Sequence, residues 1–129
     1  MKNLFLVGRL IFGGYFLFSG MDNFKNRRSI VQFARTKKMP EPELAVLASS
    51  VMLTAGGASL TLGLKPKFGV LPVIVFLAAV SPIVHDFWHE QDPQSHQLQL
   101  AHFAKNMGLI GALLTLMAVK EWPLSVAGS

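Results

Sequence analysis

Charge is nearly absent from four long stretches of this chain, roughly residues 4–21, 44–64, 68–88 and 101–119. They hold 79 residues and three formal charges, Arg9, Asp86 and Lys105, while the other 50 residues carry the remaining 16 of 19. Each stretch is about as long as a helix needs to cross a hydrocarbon core of about 30 Å. One such segment is ordinarily a buried core helix. Four of them in 129 residues cannot all be the core of a soluble domain, which at this size must keep a polar exterior. The expected fold is therefore all-α: an integral membrane bundle of four transmembrane helices, forming a single domain over residues 1–129.

Composition narrows the chemistry. Hydrophobic residues make up 51% of the chain and charged residues 15%, which excludes a disordered chain. There is no cysteine, so disulfides, thiolate nucleophiles and thiol relays are ruled out. The net charge of +5 follows the helix ends and is not a nucleic-acid signal. Arg9 interrupts the first apolar run and no clear small-x-small site follows it, which argues against a cleavable signal peptide.

The expected spans are helix 1 over about residues 4–21, helix 2 over 44–64, helix 3 over 68–90 and helix 4 over 101–119. Glycines in helix 1 (Gly8, Gly13, Gly14, Gly20), the patch Ala55-Gly56-Gly57-Ala58-Ser59 in helix 2, and Gly108 with Gly111 in helix 4 are expected to let neighbouring helices approach closely. Between helices 1 and 2, residues 22–43 form a basic loop with Lys25, Arg27, Arg28, Arg35, Lys37 and Lys38. Ser29 is expected to cap a short amphipathic helix there, lying on the membrane surface with Ile30, Phe33 and Ala34 on one side. Met39-Pro40 ends it, and Glu41 and Glu43 suit the start of the next helix. Pro82 predicts a kink in helix 3, residues 91–100 read as a polar connector, and Trp122 reads as an interface marker. Six basic residues in this loop, against Lys2, Lys65, Lys67, Lys120 and the amino terminus opposite, lean towards a cytoplasmic loop with both termini outside.

Three groups of residues are candidates for function. Arg9 lies about two turns into helix 1, where a charge either marks a buried site or snorkels to the headgroups. His85 and His89 at i, i+4, with His102 at the start of helix 4, outline a metal or haem site, the less favoured alternative. A third reading has His85, Asp86 and Lys105 meeting the polar head of a lipid-soluble ligand such as a quinone, with the histidine exchanging protons. Phe12, Phe16 and Phe87 would then line an apolar slot.

The motifs also carry a resemblance. Gly8-Arg9-Leu10 and Phe16-Leu17-Phe18-Ser19-Gly20, Lys25, Met39-Pro40 leading to Leu44, Gly56-Gly57, Leu62-Gly63-Leu64, His85-Asp86-Phe87-Trp88, and Lys105-Asn106 followed by Gly108 and Gly111 occur in that order. Together they resemble the DoxX family over residues 7 to about 119. The resemblance implies a small four-helix prokaryotic protein of the cytoplasmic membrane, in some members part of a redox system that meets the quinone pool. It favours quinone as the ligand and His85 and Asp86 as the proton-exchanging pair. Arg9, Lys105 and Asn106 would bind the ligand. It gives the metal reading no support, since His89, His96 and His102 do not match its motifs. The expected partners are the lipid bilayer and other membrane subunits. The alternative role is a non-enzymatic accessory subunit.

Overall fold

The structure is a computed structural model; it describes residues 2–63 and 66–119, the side chains of Pro66 and Lys67 excepted. Trp122, Lys65 and Lys120 lie outside the described residues. Among the described residues five α-helices follow one another: α1 (Lys2–Lys25), α2 (Arg27–Thr36), α3 (Pro42–Leu62), α4 (Pro66–Val84) and α5 (Pro93–Met117), with a short 3₁₀ turn at Phe87–His89 between the last two. No strand occurs among the described residues. Among the described residues four helical stretches, Lys2–Lys25, Pro42–Leu62, Phe68–His89 and Pro93–Met117, are long and apolar enough to cross a membrane.

Their outer faces are what lipid requires. Phe68 is 78% exposed and Phe18 71% exposed, and Leu4, Ile11, Leu44 and Val51 are similarly bare. In water such a surface would drive aggregation, whereas in a bilayer it meets acyl chains. The interior is small: Phe16, Leu53, Leu60, Val70, Val73, Leu77 and Leu113, drawn from all four spanning helices. α1 packs against α3, α3 against α4 and α4 against α5, while α2 lies on α3 and touches α1.

The close seam between α1 and α3 is made of glycine and threonine. A Cβ added at Gly13 would collide with Thr61 and the Gly57 carbonyl, and one at Gly20 with Thr54 and the Ser50 carbonyl. The threonine hydroxyls do not cost an unmade bond in this apolar seam. Thr54 Oγ1 donates to the Ser50 carbonyl at 2.7 Å and Thr61 Oγ1 to that of Gly57 at 2.8 Å. Gly56 and Gly69 make the matching close approach between α3 and α4. Four other glycines depart from expectation. Cβ atoms added at Gly8, Gly14, Gly108 and Gly111 would meet no described atom, so these residues face outward.

Four boundaries differ from the sequence reading. α1 runs on to Lys25 rather than ending near residue 21. The cap of α2 is Asn26, not Ser29, and its side chain makes no capping bond. α4 continues through Pro72 and Pro82 but stops at Val84, not at residue 90. Its 19 residues already rise about 29 Å, enough for the hydrocarbon core, so His85 and the polar residues after it fall at the boundary. α5 starts at Pro93, eight residues before the expected start, on an Asp92 cap whose side chain accepts the Ser95 N–H at 3.0 Å.

Candidate functional site: a cavity beneath the amphipathic helix

The second half of α1, α2, the first half of α3, the second half of α4 and the middle of α5 meet around one space. A cavity of about 490 Å³ opens there. Its apolar wall includes Phe16, Leu53, Phe76 and Leu109, and α2 with the following turn covers it with Ile30, Phe33, Ala34, Met39 and Pro40. Polar groups reach it from two directions: Tyr15, Ser19 and Asn23 from α1, and His85, Lys105 and Asn106 from the α4–α5 side. Of the expected slot residues, Phe16 lines it. Phe12 instead packs beside Phe16 and the core, and Phe87 packs edge-on against His96 and Phe103.

His85 is fixed by two contacts. Its Nδ1 lies 2.7 Å from Gln99 Oε1, and its ring stacks on His102 at 4.9 Å between centroids. A carboxamide oxygen only accepts, so Nδ1 carries the proton and the neutral ring keeps Nε2 as its acceptor. Asn106 is buried and donates to Ser81 Oγ at 3.0 Å, while Ser81 donates to the Leu77 carbonyl at 2.6 Å. This chain of bonds sets the level of α5 on α4. It places Lys105, exposed beside the cavity, about one turn below the end of α4.

Asp86 and Arg9 do not join this set. The Asp86 carboxylate turns towards α2, where Lys37 Nζ donates to its Oδ1 at 2.7 Å and to Glu90 Oε1 at 3.3 Å. His89 Nδ1 approaches Asp86 Oδ2 at 3.2 Å. The hydrogen bond with Asp86 holds the Lys37 ammonium above the ordinary lysine pKa; burial opposes this more weakly, and Glu90 adds to it. Arg9 is buried, at 3% exposure, and is not among the residues that line the cavity. It stands six residues before Tyr15, the first cavity-lining residue of α1, about 9 Å along the helix axis. The cavity therefore brings together His85, Lys105 and Asn106 but not Arg9.

The histidine pair also comes apart. With α4 ending at Val84, His85 and His89 are not on one helical face. No group of three metal-ligating side chains occurs among the described residues. Sequence reasoning missed Lys37, the partner of both acids, and Gln99, the partner of His85. The signal for Gln99 was present: Asp92-Pro93 is a helix start, which puts Gln99 and His102 on neighbouring turns of α5.

Among known proteins, the family model DoxX matches residues 4–86, from the start of α1 to the carboxylate held by Lys37. The chain belongs to the DoxX family. With four helices able to span a bilayer, it is a small multi-pass membrane protein. No curated protein and no solved structure matches it. The cavity's α1, α3 and His85 walls lie inside the match to DoxX, whereas Lys105 and Asn106 lie beyond it.

Proposed function

We propose that this DoxX protein is a membrane component of a redox system in a prokaryotic cytoplasmic membrane, and that it holds a quinone headgroup in the cavity beneath α2. The observation that carries this reading is the composition of the cavity: an apolar chamber at the membrane boundary with His85, Lys105 and Asn106 on one wall. Its volume of about 490 Å³ falls within the range of about 300–1,000 Å³ typical of small-molecule sites. A lipid-soluble ring fits the apolar wall, and its carbonyl oxygens need donors. Lys105 is a cationic donor, and Tyr15, Ser19 and Asn23 offer further polar contacts opposite. A quinone supplies two-electron, two-proton chemistry when bound. The chain's part is to hold the ring away from water and to take a proton at the acceptor nitrogen of His85. Asp86 acts at one remove, by fixing Lys37 and His89, rather than by exchanging a proton in the cavity.

The test is equilibrium binding of decylubiquinone to the purified protein in gentle detergent. Lys105→Met and His85→Ala should each weaken binding about tenfold, equivalent to about 1.4 kcal/mol, with the melting temperature nearly unchanged. Arg9→Lys should leave binding unaltered. Absence of binding by the native protein, or equal binding by all three variants, refutes the reading.

One observation favours the accessory role as well. Gly8 and Gly14 on α1 and Gly108 with Gly111 on α5 leave outward-facing hollows that no described side chain fills. Small residues of this kind let a helix of another subunit approach closely. A stoichiometric partner in mass spectrometry of the gently extracted complex supports this role; a monodisperse lone chain counts against it.

A further inference from the structure

We propose that α2 and the Met39-Pro40 turn form a movable lid over the cavity, latched by Lys37 to Asp86 and Glu90. The identity of the ligand rests on the quinone reading above, but the lid itself does not. Five residues of this segment, Ile30, Phe33, Ala34, Met39 and Pro40, form the cavity's cover, so displacing the segment opens the chamber at the headgroup level.

The segment is built to be displaced. α2 has ten residues, too few for a stable isolated helix, so contacts with the bundle must hold it in place. Its ion pair with α3, Arg35 to Glu43, is exposed, with side chains 58% and 77% accessible, and exposed pairs contribute little. The Lys37 pair is different. Its side chains are only 14% and 15% exposed, and it joins α2 to the α4–α5 connection 49 residues away. Glu90 and His89 are the other charged or titratable groups bonded within this cluster.

Both ends of the lid carry backbone breaks. Asn26 leaves helical geometry between α1 and α2, at φ −103° and ψ 25°. Lys38 and Glu41 adopt left-handed backbone at φ 57° and 46° on either side of Met39-Pro40. Non-glycine residues in that region are uncommon and are sites where a chain can change direction. A break before α2 and two after it allow the helix to swing while α1 and α3 stay packed through their glycine seam. The latch lies at the far end from the first break, where it has the most leverage.

The absence of cysteine makes the test direct. Ala34, buried at 3% on the inner face of α2, is replaced by cysteine in the full-length protein, and its modification by N-ethylmaleimide is timed. Adding Lys37→Met should accelerate labelling at least tenfold, and Lys37→Arg should largely restore protection. A Val73→Cys reporter in the α3–α4 core should stay protected in the Lys37→Met background. Unchanged labelling of Ala34→Cys in Lys37→Met overturns the proposal. If both reporters become fast, the charge-swapped pair Lys37→Asp with Asp86→Lys decides. Renewed protection of Ala34→Cys supports the latch, and its absence overturns it. The labelling needs no ligand, so the two readings fail separately. Fast labelling with no decylubiquinone binding leaves the lid standing and removes the quinone, while unchanged labelling with normal binding does the reverse.

Discussion

Two of the helix seams of this protein, α1–α3 and α4–α5, use opposite means. α1 and α3 meet backbone to backbone, Gly13 and Gly20 against Thr61 and Thr54, whose hydroxyls are bonded within α3, and Gly57 against the backbone of Gly13 and Leu17. α4 and α5 meet through side chains, with Asn106 donating to Ser81 inside the bundle and His85 stacked on His102 near its end. The first arrangement brings two helix backbones into direct contact. The second holds the helices by a few directional bonds and leaves the cavity open beside them. In lipid, where burying apolar surface does not drive helices together, close packing and polar bonds are the two available adhesives. This chain assigns the first to its scaffold and the second to its site.

That contrast can be broken most severely at Gly57. A Cβ there would collide with the backbone of Leu17 and Gly13, which cannot rotate away. Gly57→Ala should therefore cost about 3 kcal/mol, read as loss of folded protein in denaturant titration in mixed micelles. At the other seam, Ser81→Ala removes the acceptor of the buried Asn106 amide. It should cost about 1–3 kcal/mol in the same assay and weaken ligand binding, because Asn106 lines the cavity.

Lys37 sharpens the comparison through pH. Its folded pKa lies above the ordinary lysine value of 10.5. The stabilisation it provides, about 1 kcal/mol for a partly sheltered pair, is thus complete below that value and lost as pH rises through the higher folded one. The melting gap between the native protein and Lys37→Met should hold steady from neutral pH to about pH 10 and close above it. Lys38→Gly should stabilise by a net of about 0.5 kcal/mol, the relief of its left-handed backbone exceeding the added chain entropy. Comparably small is Gly14→Ala. Its Cβ meets no described atom, so helix propensity alone should stabilise by under about 1 kcal/mol, the reverse of Gly57→Ala on α3.

The sequence alone determined the four apolar spans, the amphipathic segment between the first two and the side of the membrane where His85, Asp86 and Lys105 gather. These follow from local rules: hydrocarbon thickness sets span length, and polar residues collect where a span ends. The glycines show where such rules stop. Gly13 and Gly14 are neighbours of the same type, yet one lies in the α1–α3 seam and the other faces out, because only the rotation of α1 against α3 distinguishes them. The three charges within the apolar stretches show the same limit. Tertiary structure left Arg9 out of the cavity lining, gave Asp86 to Lys37 and left Lys105 beside the cavity with His85 and Asn106. Ending α4 at Val84 separated His85 from His89; Asp92-Pro93 marks the early start of α5 in the sequence, but only the packing of α5 on α4 set Gln99 against His85. Partner choice of this kind depends on helix rotation, vertical register and the path of a connecting turn, and a chain's local pattern carries none of the three.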